Sequence, residues 1–375
     1  MTKSTLSHKV RTWTAIAVLL PVFSACTPLA AQNANSTEQL ASIAPTLPLG
    51  EPIRTAKLES DDPDIKYQNG FFFNFKGTGH IHIHDKDGHL TGDFELQPQG
   101  TPIVHMSFMH DAAVLKDGSI VASWIYTLPH DVSNHFNLVH YDRTGNFLEQ
   151  IDLGKWRAPR ICVADDKSIW TLSEEEEMGH PFYSPDEGVL RNYKFGSGLL
   201  RAVVPRSNFT QDRTNAYATG HVAIDCSGTM VHTLTGDGQW IEYTLGADFT
   251  ITPVESFSHS TYGDFWRMIG FAYLDNGHAY TVIHSVPGDP FRRMFAELLP
   301  TPDGKTLRWV EVPPDGILPA SNQTPDQSAD HPKEQIVVTG ILGVDHEDGE
   351  QLVYRTSKDE TINWSKPLFG SPATK

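Results

Sequence analysis

The stretch that decides the fold is Asp111-Ala-Ala-Val-Leu-Lys-Asp-Gly-Ser-Ile-Val-Ala-Ser-Trp124, continued by Asn137-Leu-Val-His-Tyr-Asp-Arg-Thr-Gly-Asn-Phe-Leu-Glu-Gln-Ile-Asp-Leu-Gly154. Each half is a run of β-branched, aromatic and small residues broken by a Gly-containing turn (Lys116-Asp117-Gly118, then Arg143-Thr144-Gly145). Such turns accept the positive backbone angles that a tight hairpin requires, so the stretch predicts four strands in two hairpins. The plan recurs along the chain. First-hairpin turns fall at Asn69-Gly70, Asp117-Gly118, Asp165-Asp166, Ser227-Gly228, Asn276-Gly277 and Asp348-Gly349. Second-hairpin turns fall near Gly88, Gly145, Ser197, Ala247, Gly304 and Asp359, at intervals of 57, 52, 50, 57 and 55 residues. A four-stranded unit with two apolar faces cannot bury both alone. Repeats of this size therefore pack around an axis, and the expectation is an all-β, six-bladed β-propeller of four-stranded antiparallel blades. The last unit lacks a clear fourth strand, which an N-terminal strand is expected to supply.

The blade segments 111–123 and 139–148 are similar to the NHL and TolB-like repeat families of six-bladed propellers. The resemblance covers nearly the whole chain after residue 50 and specifies architecture only, since such families include binding modules, lactonases, lyases and scaffolds. It implies that the innermost strand of each blade lines an axial channel whose entry face receives ligands. Counting back from each first turn puts Asp64, Lys66, His110, Asp111, Arg160, His221, Arg267, Glu334 and Gln335 at that entry. The expected ligand-binding set is His110, Asp111, Arg160, His221 and Arg267. Guanidinium and imidazole groups converging on one mouth suit a carboxylate, phosphate or sugar acid, because Arg forks onto planar oxyanions. The competing reading is that each caps a strand end or pairs with a nearby carboxylate. Elaborated loops at Trp124 to His135, Glu174 to Tyr183 and His284 to Arg293 are placed on the same face, where a rigid scaffold presents function.

Outside the repeats, residues 1–26 read as a signal peptide: Lys3, Lys9 and Arg11 precede an apolar run too short to span a membrane. Phe23-Ser24-Ala25-Cys26 resembles a bacterial lipobox, which implies lipidation of Cys26; cleavage after Ala31 is the alternative. Residues 27–50 read as a flexible tether and 51–375 as a single propeller domain with a mobile loop at 313–333. The expected location is the cell envelope on the periplasmic side, with a membrane contact only through the lipid. The remaining cysteines, Cys162 and Cys226, fall on inner strands of neighbouring repeats. Two cysteines in an oxidising compartment can pair, but their separation on neighbouring repeats favours the expectation of two buried thiols.

Composition narrows the functions. Against 46 Asp and Glu stand 29 Lys and Arg, a formal charge of −17, which argues against nucleic-acid binding because phosphate neutralisation needs a basic face. No Walker A, haem CxxCH, zinc-finger or GxSxG pattern is present. The sharpest local motif is His80-Ile-His82-Ile-His84, followed by Asp85 and Asp87. Alternation on a strand puts the three imidazoles on one face, at a spacing that suits a shared divalent metal with an aspartate oxygen. The plain alternative is a half-buried third strand. No other pattern supports a cofactor. The expected function is a binding module for a small anionic or polar ligand, or for an envelope protein. The alternative is a metal-dependent hydrolase or lyase, lactonase-like, using the axial channel.

Overall fold

A computed structural model describes residues 49, 52–58, 65–98, 106–129, 133–175, 186–208, 223–226, 229–235, 238–246, 248–255, 268–275, 277–286, 289–312, 338–347, 349–357 and 361–367. Short β-branched and aromatic runs alternate with Gly- and Asp-containing turns, and apart from one 3-10 turn at Arg206–Asn208 the described chain is strand after strand. The first strand, β1 (Arg54–Ala56), precedes all the repeats. Blade 1 follows as β2 (Lys66–Gln68), β3 (Phe71–Phe75), β4 (His80–Asp85) and β5 (Leu90–Glu95). Blade 2 is β6 (Met106–Val114), β7 (Ile120–Thr127), β8 (His135–Tyr141) and β9 (Phe147–Asp152). A two-residue strand, β10 (Trp156–Arg157), leads to blade 3, made of β11 (Cys162–Val163), β12 (Ile169–Leu172), β14 (Gly188–Lys194) and β15 (Gly198–Pro205). The short β13 (Glu174–Glu175) lies between β12 and β14 and pairs with β10. Blade 4 comprises β16 (Ala223–Asp225), β17 (Met230–Leu234), β18 (Gln239–Thr244) and β19 (Phe249–Pro253). Blade 5 comprises β20 (Met268–Tyr273), β21 (Ala279–Val286), β22 (Asp289–Pro300) and β23 (Leu307–Glu311). In blade 6, β24 (Val338–Asp345), β25 (Gln351–Thr356) and β26 (Ile362–Ser365) pair in order, and β1 completes the sheet beside β26.

The six sheets form a six-bladed β-propeller. The expected closing strand is β1, whose Arg54, Thr55 and Ala56 stand opposite Trp364, Asn363 and Ile362. One turn is reassigned. The turn near Asp359 joins the second and third strands of its blade, because β1 supplies the outer strand that a 3–4 turn would otherwise lead to.

Each sheet hides its two faces against its neighbours, so the core is a series of seams. Phe73, Ile81, Met109 and Trp124 fill the seam between blades 1 and 2. Leu138, Trp156, Trp170, Leu190 and Ile241 run through blades 2, 3 and 4. Leu234, Trp240, Ile283 and Trp309 join blades 4 and 5, and Leu274, Val282, Ile341 and Tyr354 join 5 and 6. Tyr67, Phe72, Val353 and Trp364 close the ring between 6 and 1. Each fully buried large side chain contributes about 1.5–3 kcal/mol. At the last seam the carboxylate of Asp345 accepts from Tyr67 Oη at 2.6 Å and Trp364 Nε1 at 3.2 Å. Near the axis the inner strands nearly touch. A Cβ on Gly270 would stand 1.7 Å from the Ile341 carbonyl oxygen, so this close approach requires glycine.

The expectation of two separate thiols is wrong. Cys162 and Cys226 form a disulfide with Cα atoms 5.8 Å apart, joining blades 3 and 4. Inner strands of adjacent blades converge on the axis, which brings the two cysteines within the range that a disulfide spans. The signal peptide with Cys26, the tether at 27–50 apart from Leu49, the loop at 313–333, and Asp64, His221, Arg267, Glu334 and Gln335 all lie outside the described residues.

Candidate functional site

The entry end of the ring is built best at blades 1 to 3. On β6, Met109 pairs with Trp124 and Asp111 with Ser123, so His110 is the extra residue of a β-bulge. Bulges re-aim a side chain and interrupt the alternation of a strand. Asp111 is 1 % exposed and holds three groups. Its Oδ1 forms an ion pair with Lys66 Nζ from blade 1 and accepts the Ala112 N–H at 2.9 Å. Its Oδ2 accepts the Ile161 N–H, from the entry to blade 3, at 2.9 Å. One carboxylate thus fastens three blades, which is the strand-capping reading of the residue.

Around it stand the cations. Lys66 Nζ lies over the Phe75 ring, 5.3 Å from its centre. Arg160 is half-buried and donates from Nη1 to the carbonyls of His110 and Pro159, both at 3.2 Å. Arg157, on β10, is half-buried too. Burial, reinforced by the positive charge of Arg157 and Arg160, pushes the His110 imidazole down to about 3. It is therefore neutral at pH 7, and its buried Nε2 makes no hydrogen bond among the described residues. The Phe108 ring, half exposed, lies 5.2 Å from the His110 ring and roofs Gly77 on the 2–3 turn of blade 1. Chemically this is a small polar mouth with guanidinium donors, a neutral imidazole and an apolar lip.

Of the expected mouth residues, the structure brings His110, Asp111 and Arg160 together, with Lys66. Arg157 was not singled out from the sequence. It belongs to a two-residue strand whose partner, β13, falls in a run of glutamates that looks like a solvated edge.

The histidine motif forms β4, the third strand of blade 1, as expected. Its membership changes. His84 is 6 % exposed and its Nδ1 lies 3.2 Å from the Gly88 carbonyl, which holds it in the core beside the turn. Asp85 spends Oδ1 on the N–H groups of Asp87 and His89, both at 2.9 Å, and Asp87 pairs with Arg54. The three-histidine set with Asp85 or Asp87 is therefore not formed. His80 and His82 instead meet Asp93, which faces His82 directly across the β4–β5 pairing. The turn at Asp85 to Gly88 alone does not locate Asp93 and Glu95, because a bulge between Ile83 and His84 shifts the register by one residue before the two histidines.

Two further clusters of potential metal-binding groups occur among the described residues. One is Asp85, Asp87 and His89 at the 3–4 turn of blade 1; the other is Asp275, His346 and Glu350 at the first-hairpin turns of blades 5 and 6. The latter marks the end of the inner strands opposite the mouth.

Comparison with known proteins adds no closer identity. No family model matches the chain, and no curated protein sequence matches it. Among solved structures, a DUF4221 family member from Bacteroides vulgatus is 11 % identical and aligns with TM-score 0.41 over 86 % of this chain and 96 % of its own. A glucose dehydrogenase is 9 % identical, with TM-score 0.40 over 85 % and 99 %. BBS1N in complex with ARL6DN is 10 % identical, with TM-score 0.39 over 80 % and 75 %.

Proposed function

We propose that the protein is an exported binding module whose mouth at blades 1 to 3 receives a small ligand bearing a carboxylate, phosphate or sugar-acid group. A six-bladed propeller is consistent with such a role. The observation that carries the reading is the placement of Arg157 and Arg160 beside a neutral His110 at the entry of the inner strands. Guanidinium groups held half-buried bind oxyanions more strongly than they do in open solvent, because local screening is weaker and the fork is pre-organised. On the sequence count, His221 and Arg267, which lie outside the described residues, are the corresponding positions of blades 4 and 5. Asp111 acts there as a positioning residue rather than a ligand contact, since its oxygens hold the blades.

The finer assignments belong to the same proposal. The chain is read as an NHL- or TolB-like propeller, lipidated at Cys26, tethered by residues 27–50 and held in the cell envelope, where an envelope protein is the alternative occupant of the mouth. The Cys162–Cys226 disulfide supports export, because such bonds persist in oxidising compartments. A thermal-shift screen of the full chain against glucuronate, citrate, inorganic phosphate and peptidoglycan fragments tests the reading. A ligand at a hundred times its Kd raises stability by about 2.7 kcal/mol. Stabilisation by an acid that survives chelator supports the proposal. Silence across all these anions counts against it.

A further inference from the structure

The hairpin of β4 and β5 carries a second site at the outer side of blade 1. We propose that His80 Nε2, His82 Nε2 and Asp93 Oδ1 bind a divalent d-block cation such as Zn(II), with Glu95 orienting His80 from behind.

The pairing of the strands sets this up. His80 stands opposite Glu95 and His82 opposite Asp93, so two imidazoles and two carboxylates share one face of two hydrogen-bonded strands. The opposite face, with Ile81 and Ile83, is buried against blade 2. The hairpin is thereby held on its apolar side while the polar side faces outward, with His80 and His82 about one-third exposed and Asp93 more than half.

The ligand atoms already converge. The two Nε2 atoms are 3.1 Å apart, and His82 Nε2 is 3.5 Å from Asp93 Oδ1. His80 Nε2 is in direct contact with the same oxygen. A tetrahedral zinc with Zn–N distances near 2.0–2.1 Å separates its ligand atoms by about 3.3 Å. The rings stand at 89° to each other with centres 4.5 Å apart, so both nitrogens point into the same space without stacking.

Proton counting favours a cation. His80 Nε2 carries a single hydrogen or a single lone pair, yet it faces two atoms at once, Asp93 Oδ1 and His82 Nε2, the second a donor or an acceptor according to its tautomer. A hydrogen satisfies one of them well, whereas a metal ion satisfies all three atoms together. His80 Nδ1 lies 3.3 Å from Glu95 Oε1. With a cation on Nε2, that carboxylate accepts the Nδ1–H and holds the ligating tautomer, the arrangement found behind metal-bound histidines. Three protein ligands leave a coordination position for water or for an incoming oxyanion, the donor set of an open rather than a closed structural site. The neighbouring group at Asp85, Asp87 and His89 is a weaker competitor, because Asp85 is occupied by its own turn and Asp87 by Arg54.

The test is calorimetric titration of Zn(II) into chelator-treated full-length protein, with circular dichroism to confirm folding of each variant. One equivalent is expected to bind to wild type and to H89Q. E95Q should weaken binding by about tenfold, within the range seen for groups behind a ligand. H82Q and D93N, both changes at solvent-facing groups, should weaken it more than E95Q does. X-ray absorption at the zinc edge should report two imidazoles with oxygen ligands. Equal affinity in wild type, H82Q and D93N, loss in H89Q alone, or no stoichiometric binding would each overturn the assignment.

Discussion

Asp111 on β6 and Asp93 on β5 each lie beside a histidine, and the surroundings give them different tasks. Asp111 is 1 % exposed and has both oxygens taken by Lys66 and by backbone N–H groups from two blades. Its neighbour His110 is kept neutral by burial and by two arginines. Asp93 sits at the outer edge, where a hydrogen bond from His80 lowers its carboxyl below the usual range and no backbone group claims it among the described hydrogen bonds. A buried carboxylate must be paired within the protein. An exposed one with two imidazoles beside it has lone pairs to offer outward. The contrast teaches that a His–Asp neighbourhood in this fold is a fastening near the axis and a ligand set at the rim.

The largest effect that would break the comparison is on stability. D111A should destabilise by about 3–5 kcal/mol, because the buried N–H groups of Ala112 and Ile161 each lose their acceptor and Lys66 loses its partner. D93N should stay within about 0.5 kcal/mol of wild type, as surface changes do. Urea midpoints of the two variants measure the difference, and equal shifts would erase the distinction.

Next in size is the disulfide, which adjoins the Asp111 contact through the Ile161–Cys162 step. Bridging residues separated by 64 positions restricts the unfolded chain, so C162S/C226S should cost about 2–4 kcal/mol. Reduction of wild type should cost the same, while the double variant should not respond to reductant.

The pH dependence of folding sharpens the buried half. Burial lowers His232 to about 4, as it does His110 to about 3. The unfolded chain takes up protons below about pH 6.5 while the folded one does not. Stability from these residues is therefore complete above that pH and is lost as pH falls from about 6.5 toward 4 and 3. At pH 5 the loss is on the order of 2 kcal/mol for His232. H232Q should flatten this part of the curve in chemical unfolding. An unchanged slope would show that the ring is protonated within the fold.

Much of the architecture was legible because it is written in local chemistry. Turns such as Asp117-Gly118 and Asp142 to Gly145 close through Asp side chains that accept the N–H groups of Ser119 and Thr144 at 3.0 and 2.8 Å. Each needs only its own few residues to form. The closing role of β1 was anticipated from a missing strand, but its partner β26 lies more than 300 residues away in the chain. What local reading missed depends on proximity between blades. The disulfide, the ties of Asp111 to Lys66 and Ile161, and the presence of Arg157 beside His110 all cross from one blade to the next. The bulge at His110 also breaks the two-residue period on which counting relied. At the rim, the alternation of His80, His82 and His84 was right, yet the core claimed His84 and the facing strand supplied Asp93.

The measurement that tests the mouth most directly is the affinity of the best-binding anion for wild type, R157Q, R160Q and R160K. We expect each glutamine variant to lose roughly tenfold or more, since a hydrogen bond to a charged group contributes about 1.5–3 kcal/mol. R160K should fall in between, because lysine keeps the charge and loses the fork. H82Q should bind like wild type. Unchanged affinity in both glutamine variants, with folding intact, would contradict the account and move the ligand site away from blades 1 to 3.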